Sequence, residues 1–588
     1  MALAVYLLAS ILLFGIPVLP DLRHSYVGLG RSGLGPGFTD PSVYMWSLAW
    51  WPHAIVHGMN PLVTHVVWAP QGVDLAWTTT IPGASFLAWP VTALFGPVAA
   101  FNVWMLLAPT LAAWTAYLLF RHVTGTFWPS LVGGFLFGFS SYELAQMTSH
   151  LTLALIFPIP LAVLFVLLRA EERLRPLPFV LLMATTVAMQ FSFSQELALT
   201  MTVFGGLIGL LALALFPSAR RRLGSTVGWT ALSYVVAGVV LIPFLIALTD
   251  SSAFVPRTWP SKYATDLLNL VVPTRTALLA PSAAGGIAQR FTAGISEEGA
   301  YLGPLILVVL LFALKVGRTR RGGFVLGSLV LILLASLGPG LQVAGVHRAG
   351  PLPWALASHV PLLRMALPAR FMVYAWLMLG LLAALWLAEP TRRAWVRWGK
   401  WAVAGLCVAA LLPNIALPLW HARTDTPPFF ATQLYRRYLV PERNTLVIPF
   451  GSNGHSMLWQ AETDMAFPMA GGYVHACAIP AEYQRWAIVA TFLSERKLPG
   501  FQNQVRAFLG HFDVANVVVD PRAEGPWAAL FSAVPVRPVR VGGILLYRVP
   551  PELLTQYRRL HPPNVARKSL GHWCETRPPD LIHPASVP

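Results

Sequence analysis

The first residues that could do chemistry lie in a polar segment near the N-terminus. Asp40 precedes Pro41 and stands close in sequence to Tyr44 and Trp46. A carboxylate beside apolar surface loses hydration, so its pKa rises toward the range of a general base. An acid followed by proline is also a common helix start, and the aromatic residues suit a helix in the membrane headgroup region. The pattern therefore leaves both a catalytic role and an N-cap role open for Asp40.

A second polar segment, residues 140–150, carries Glu143 and His150. Seven residues separate the two, so on one helix they would share a face. An ionisable group at the end of a membrane span is a candidate for function if it points into the helix bundle, and a boundary marker if it points to water. The sequence favours neither interpretation. Glu196, between two apolar segments, presents the same ambiguity.

Basic residues lie in two later segments. Arg257 and Lys262 belong to an aromatic loop, whereas Arg364 and Arg370 precede a long apolar run. A guanidinium group can bind a phosphate through two parallel hydrogen bonds. The alternative is that these cations contact anionic lipid headgroups.

His53 and His57 are four residues apart, as metal ligands on a helix can be. No glutamate follows His53, so the metalloprotease pattern is missing. The sequence therefore assigns no metal to this pair and favours interfacial histidines.

The composition indicates which elements must position these residues. Hydrophobic residues make up 56% of the 588 residues and charged residues 11%, with a mean hydropathy of +0.61. Because a soluble domain carries about 25% charged residues, this composition excludes a disordered, fibrous or fully soluble protein. Basic loops that orient membrane spans explain the net charge of +17. The expected partners therefore include membrane lipids and no nucleic acid.

A bilayer core takes about 20 apolar residues per helix, and the apolar runs of the sequence predict about eleven transmembrane helices. The stretch 86–95 is ambiguous, because it could belong to a broken span or to an interfacial helix. The predicted spans are residues 2–20, 98–120, 128–140, 151–168, 178–190, 197–216, 227–248, 301–314, 324–337, 371–387 and 401–417.

Clusters of cations in alternate connections determine the orientation. They occur at residues 121, 169–175, 220–222, 315–321 and 392–400. The positive-inside rule places these connections in the cytoplasm, with the N-terminus inside and the C-terminus outside. The long connections 21–85, 250–298 and 340–368 then face the exterior, where we expect the chemistry.

The composition changes after residue 420. Residues 421–588 contain scattered charges, strand-like runs and helical stretches, which indicate a small α/β domain outside the membrane. Cys477 and Cys574 lie in this tail, and a disulfide between them is one option. The predicted fold class is a polytopic α-helical membrane protein over residues 1–420, followed by this extracytoplasmic domain. The strand-like runs are residues 445–450, 514–519 and 544–549.

This layout resembles the GT-C superfamily of membrane glycosyltransferases, and within it the bacterial YfhO-like and protein-mannosyltransferase-like branch. Members of the family often have paired acids in the first exterior loop, whereas here Asp40 is followed by Pro41. A divalent metal is therefore left open, and no cofactor is assigned. The resembling segments are Phe-Thr-Asp-Pro-Ser-Val-Tyr-Met-Trp at 38–46, Gly-Met-Asn-Pro at 58–61, Glu-Gly-Ala-Tyr-Leu-Gly at 298–303 and Pro-Ala-Arg-Phe at 368–371.

The resemblance implies transfer of a sugar from a polyprenyl-phosphate-linked donor to an acceptor hydroxyl of a glycan, lipid or protein. The reaction would take place at the exterior face of the cytoplasmic (inner) membrane and would invert the anomeric centre. Asp40 would be the general base, assisted by Glu143 and His150. Arg364, Arg370, Arg257 and Lys262 would bind the donor phosphate, and Tyr44, Trp46 and Glu298 would contact the sugar or the acceptor.

Two other functions remain as hypotheses. A transporter or flippase for a lipid-linked saccharide would need polar groups deep within spans or repeated halves, of which the sequence shows few and none, respectively. A non-enzymatic envelope assembly protein would instead use the tail as its working part.

Overall fold

The structure is a computed structural model. It describes residues 1–30, 40–250, 260–280, 282–475, 478–495, 501–523 and 525–560. Arg257, Cys477 and Cys574 therefore lie outside the described residues. The chain divides into two compact units: the first comprises residues 1–20, 103–243 and 258–421, and the second comprises residues 21–102, 244–257 and 422–588. The first long connection thus groups with the tail, whereas the sequence places it with the membrane domain.

Among the described residues of the first unit, the regular structure consists of helices and one hairpin. Helix Pro97–Thr124 begins in the second unit and continues into the first. The hairpin pairs Leu341–Val343 with Val346–Ala349. The other principal helices are Ala2–Ser10 with the π-helical Ile11–Gly15, Phe127–Gly138, Ser141–Gln146, Leu151–Ala154, Pro158–Ala170, Pro176–Phe193, Gln195–Leu215, Arg220–Val240, Ser282–Ala288, Leu305–Val316, Arg320–Ser336, Trp354–Ala357, Met372–Ala388 and Ala394–Ala410. Single 3₁₀ turns are Pro217–Ala219, Leu267–Leu270, Leu363–Met365 and Pro368–Phe371.

Six helices among the described residues are long and apolar enough to cross a membrane, as in a multi-pass membrane protein. Five coincide with predicted spans, whereas Pro217–Val240 begins ten residues before the predicted span 227–248 and ends eight residues before it does. The remaining predicted spans contain shorter helices, such as Phe127–Gly138 and Leu305–Val316 with 12 residues each. Twelve residues rise about 18 Å, less than the hydrocarbon core of about 30 Å. The count of about eleven spans and their orientation stay predictions. The six are Pro97–Thr124, Leu151–Ala170, Pro176–Phe193, Gln195–Leu215, Pro217–Val240 and Pro368–Ala388.

Helix Met372–Ala388 lies in the core of the first unit and is apolar all round, as expected for a helix with neighbours on every side. It packs closely against helix Phe127–Gly138. A Cβ atom at Gly133 would lie 2.6 Å from the carbonyl oxygen of Gly380, and one at Gly380 would lie 2.8 Å from that of Gly133. This backbone contact fixes the helix whose N-terminal turn carries Arg370.

The second unit contains a four-stranded sheet in its C-terminal part. Strands Asn444–Ile448 and Val514–Val519 pair in parallel, and Ile544–Arg548 pairs antiparallel with both Val514–Val519 and Val539–Val541. The three strands expected from the sequence are therefore present. Short two-residue ladders join Ser25–Tyr26 to Ala422–Arg423 and Val63–Thr64 to Val73–Asp74. The helices are Asp40–Val56, Pro82–Phe95, Ile242–Asp250, Pro428–Ala431, Tyr435–Tyr438, Ser456–Glu462, Ala481–Gln484, Ala487–Ser494, Phe501–His511, Trp527–Phe531 and Pro551–Arg558, with a 3₁₀ turn at Gly451–Asn453.

Helix Asp40–Val56 is a core element of the second unit. The indole Nε1 of Trp46 donates a hydrogen bond of 2.7 Å to Gln460, and the hydroxyl of Ser42 lies 2.9 Å from His455 Nδ1. The aromatic side chains of this helix pack against the tail of the same unit. A position of the helix in the headgroup region stays a prediction. A buried tryptophan needs a partner for its N–H group, and the tail supplies one.

Candidate functional site

A cluster of charged side chains lies in the first unit, around the N-terminal turn of helix Met372–Ala388. The guanidinium of Arg370 stands at its centre. Its Nε donates to both carboxylate oxygens of Glu297, at 2.9 and 3.1 Å, and its Nη2 donates to Oε1 of the same group. Its Nη1 donates to Oε2 of Glu196. One cation is thus held between two carboxylates, an arrangement that we call the Arg370 cluster.

Further polar groups surround the two carboxylates of the Arg370 cluster. The side-chain amide of Gln146 donates to Glu297 Oε2 at 3.3 Å. His150 Nδ1 lies 2.8 Å from Gln146 Oε1 and 3.8 Å from Glu297 Oε1. The other oxygen of Glu196 accepts a hydrogen bond of 2.8 Å from the backbone N–H of Leu367. Glu297 is therefore held from more than one side, whereas Glu196 has one backbone donor besides Arg370.

Burial and charge determine the electrostatics of the cluster. The side chain of Glu297 is 4% exposed, against 18% for Arg370 and 21% for Glu196. Burial tends to raise the pKa of Glu297, but the charges of Arg370 and His150 outweigh it and hold that pKa below its ordinary value. Glu297 is therefore a buried carboxylate that the neighbouring positive charges stabilise.

Glu143 is a buried acid of a different kind. It lies in the first turn of helix Ser141–Gln146, where its backbone N–H donates to the hydroxyl of Ser140. Its side chain is 0% exposed, and neither carboxyl oxygen has a hydrogen-bond partner among the described residues. Burial raises its pKa well above the ordinary value. Burial therefore favours the protonated form of Glu143, which can act as a hydrogen-bond donor.

The loop that carries Glu297 is fastened to the short helix that carries Glu143. The hydroxyl of Ser141 donates to the carbonyl oxygen of Tyr301 at 2.6 Å. Gly299 lies against the backbone of the helix, since a Cβ atom there would be 2.5 Å from Cα of Tyr142. Only glycine permits this approach, which sets the position of the loop.

Three more predicted site residues belong to the first unit: Arg364 and Lys262, predicted to bind the donor phosphate, and Glu298, predicted to contact the sugar or the acceptor. Arg364 is exposed on the turn Leu363–Met365. Lys262 is half-buried, and burial lowers the pKa of its ammonium group to about 8. Glu298 accepts a hydrogen bond of 2.9 Å from the N–H of Gly294, and burial raises its pKa to about 7. Of the predicted site residues, the structure brings Arg370 and His150 into the cluster.

Three predicted site residues belong to the second unit. Asp40 is half-buried and begins helix Asp40–Val56. Tyr44 and Trp46 are fully buried, and the Trp46 ring stacks on Trp50 with centroids 5.3 Å apart. A sugar could stack on Trp46 only if the ring left this packing.

The described residues contain no group of three or more His, Cys, Asp or Glu side chains that could hold a metal ion. The histidine pair has other contacts. His53 Nδ1 lies 2.8 Å from a carboxylate oxygen of Asp464, and His57 Nδ1 lies 2.8 Å from the carbonyl oxygen of His53.

Sequence reasoning missed the roles of Glu196 and Glu297 as partners of Arg370. The available signal was their type: acids next to apolar runs are costly unless a cation neutralises them. Pairing every such acid with each cation that begins or ends a span would have suggested Arg370 as the common partner.

Comparison with known proteins gives one matching family model and several structures of similar fold. The family model described as "Domain of unknown function (DUF6311)" matches residues 3–412. No curated protein matches the sequence. The cryo-EM structure of the arabinofuranosyltransferase AftD from Mycobacteria has a TM-score of 0.57 at 15% identity, over 93% of this chain and 40% of that chain.

Two further structures are similar at lower scores. The oligosaccharyltransferase AglB from Archaeoglobus fulgidus, in complex with an inhibitory peptide and a dolichol-phosphate, has a TM-score of 0.49 at 12% identity, over 94% of this chain and 74% of that chain. ArnT from Cupriavidus metallidurans, bound to undecaprenyl phosphate, has a TM-score of 0.48 at 11% identity, over 94% of this chain and 98% of that chain.

The likeness to AftD shows a shared fold. The chain spans about 40% of the length of AftD. The resemblance to the GT-C superfamily, and to its YfhO-like and protein-mannosyltransferase-like branch, stays a prediction.

Proposed function

The chain belongs to the DUF6311 family, and from that premise we propose that it is a membrane glycosyltransferase. It transfers a sugar from a polyprenyl-phosphate-linked donor to an acceptor hydroxyl at the exterior face of the cytoplasmic (inner) membrane. The observation that carries the proposal is the Arg370 cluster, a guanidinium held in place at the end of a helix of membrane length. The fold shared with an arabinofuranosyltransferase supports it.

The donor chemistry fits the position of Arg370. A polyprenyl chain lies in the hydrocarbon, so its phosphate comes to rest near the ends of the spans. Arg370 begins the apolar helix Pro368–Ala388, and its planar group matches the geometry of a phosphate. Arg364, Lys262 and Arg257 are proposed to add positive charge as the leaving phosphate departs.

The proposed reaction is a single displacement. Asp40 takes the proton of the acceptor hydroxyl while its oxygen bonds to the anomeric carbon, and the bond from that carbon to the phosphate oxygen breaks. The products are the inverted glycoside, the polyprenyl phosphate and protonated Asp40. Because a phosphate leaves readily, no strong general acid is needed.

The neighbouring groups have supporting roles in this proposal. Glu143, whose burial favours the protonated form, donates a hydrogen bond that orients the acceptor, and His150 assists through its link to Gln146. Glu298 contacts the sugar. Tyr44 and Trp46 support the helix that begins at Asp40, because their rings are buried in the second unit.

The test is sugar transfer by the purified full-length protein in proteoliposomes that contain polyprenyl-phosphate pentoses or hexoses. We expect Asp40→Asn to reduce transfer about 100-fold or more, as loss of a general base does, without a change in expression. Asp464→Asn is the matched control, since it removes an exposed acid from the same unit.

Two results would contradict the proposal. Full transfer by Asp40→Asn would exclude this residue as the base. Translocation of the lipid-linked sugar without transfer, by the wild-type protein and by Asp40→Asn alike, would favour the transporter hypothesis.

A further inference from the structure

Arg370 retains hydrogen-bonding capacity in the cluster. A guanidinium group has five N–H donors. Glu297 uses Nε and one N–H of Nη2, and Glu196 uses one N–H of Nη1. One N–H group on each terminal nitrogen is thus left over from the bonds made within the described part of the chain. A planar fork of guanidinium N–H groups can receive two oxygens of an anion.

The two carboxylates that hold Arg370 are not equivalent. Glu297 binds the guanidinium along one edge through two nitrogens, and its carboxylate also accepts a hydrogen bond from the side-chain amide of Gln146. Glu196 binds through a single nitrogen, and its side chain is about five times more exposed, at 21% against 4%. An edge-on bond through two nitrogens defines the plane of the guanidinium, whereas a bond to one nitrogen does not.

We propose that Glu297 is a positioning residue that fixes the plane of the Arg370 guanidinium, and that Glu196 is an exchangeable counter-ion that releases Nη1 when the phosphate of the lipid-linked donor binds. This inference rests on the proposed function and assigns separate tasks to two acids of the same site. The phosphate then receives the two remaining N–H groups together with the one that Glu196 gives up. No covalent bond changes in this step, and the released carboxylate remains hydrogen-bonded to the backbone N–H of Leu367.

Charge alone predicts a different result from positioning. Both acids carry a negative charge that repels a phosphate, so by Coulomb's law removal of either charge would strengthen binding. Positioning predicts opposite effects. Removal of Glu196 strengthens binding because a competitor is lost, and removal of Glu297 weakens it because the guanidinium loses its orientation.

The experiment measures binding of undecaprenyl phosphate to the full-length protein in phosphatidylcholine nanodiscs. We expect Glu196→Gln to lower the dissociation constant about fivefold and Glu297→Gln to raise it about tenfold, in line with the loss of a charge-assisted bidentate contact. Glu172→Gln is the matched control, because Glu172 is an exposed acid paired with Arg222, and it should leave the constant unchanged.

A second variant separates positioning from loss of folding. Glu297→Asp retains the carboxylate and should restore part of the binding that Glu297→Gln loses. The melting temperature of each variant, measured in the same nanodiscs, distinguishes weaker binding from loss of folding. Tighter binding by Glu297→Gln, or weaker binding by Glu196→Gln, would overturn the inference and would leave sugar transfer by the wild-type protein as separate support for the proposed function. A wild-type protein that neither binds undecaprenyl phosphate nor transfers sugar would overturn both.

Discussion

Two short segments of the first unit each bury one acid, and the two acids are in opposite states. In the helix Ser141–Gln146, Glu143 has no hydrogen-bond partner for its carboxyl oxygens within the described chain, and its pKa is raised. In the loop before helix Leu305–Val316, Glu297 is bound by Arg370, and its pKa is lowered. Burial alone therefore does not determine the charge of an acid. A cation at hydrogen-bond distance reverses the effect of desolvation.

The comparison also divides the chemistry of the site. A protonated acid can donate a hydrogen bond and carries no net charge, so Glu143 suits contact with a hydroxyl group. An ionised acid that is fully used by its neighbours suits the support of another residue, as proposed for Glu297 and Arg370. The same type of side chain, glutamate, thus serves two purposes in the first unit.

The largest expected effect follows from removal of the shared cation. Arg370→Ala leaves two carboxylates without their partner, and breaking a buried ion pair in this way costs about 3–5 kcal/mol. We expect a large fall of the melting temperature in detergent. Arg364→Ala, an exposed arginine from the same chain segment, is the control and should change the free energy of unfolding by less than about 1 kcal/mol. Equal shifts for both variants would show that the pairs around Arg370 contribute nothing.

The next effect is a difference in pH dependence between the two acids. A raised pKa means that the stability from protonated Glu143 is complete below its ordinary pKa of about 4.3 and is lost as pH rises through the raised value. The lowered pKa of Glu297 gives stability that is present above its ordinary pKa and is lost as pH falls through the lowered value.

The melting temperature, measured over a pH range that extends well to both sides of the ordinary glutamate pKa of about 4.3, tests this difference. Glu143→Gln should remove the loss of stability on the alkaline side and cost little at neutral pH, because glutamine resembles the protonated acid. Glu297→Gln should be destabilised at neutral pH and should approach the wild-type protein as the pH falls. Identical pH profiles for the two variants would contradict the contrast between the two acids.

The smallest effect is expected at an exposed pair. Asp464, whose side chain is 79% exposed, lies 2.8 Å from His53. Solvent screens such a pair, so Asp464→Asn should change the free energy of unfolding by less than about 1 kcal/mol, and by less still in about 1 M salt. A larger effect, or one that salt leaves unchanged, would mean that exposure does not explain the weakness of this pair.

Part of the site could be predicted because ionisable residues are rare at the ends of apolar runs. Arg370, Glu143 and His150 stand out in the sequence for this reason. Their contacts could not be predicted, since 174 residues separate Arg370 from Glu196 and 73 separate it from Glu297. Nor does residue type reveal protonation: Glu143 and Glu297 differ only in what the fold places next to them.

The fold shows the same division. Length and hydrophobicity predicted the six long helices and the strands of the tail, because both signals are local. The burial of helix Asp40–Val56 was not predictable, because an aromatic helix has the same composition at a membrane surface and in a protein core. The partner that decides between them, Gln460, lies 414 residues from Trp46.

The contact of Gly299 with Tyr142 links the two acids mechanically. A methyl group at position 299 would push the loop away from the helix, because its carbon atom would lie 2.5 Å from Cα of Tyr142. It would displace the loop and the helix, and with them Glu297 and Glu143. A substitution of Gly299 would therefore change the surroundings of both acids at once.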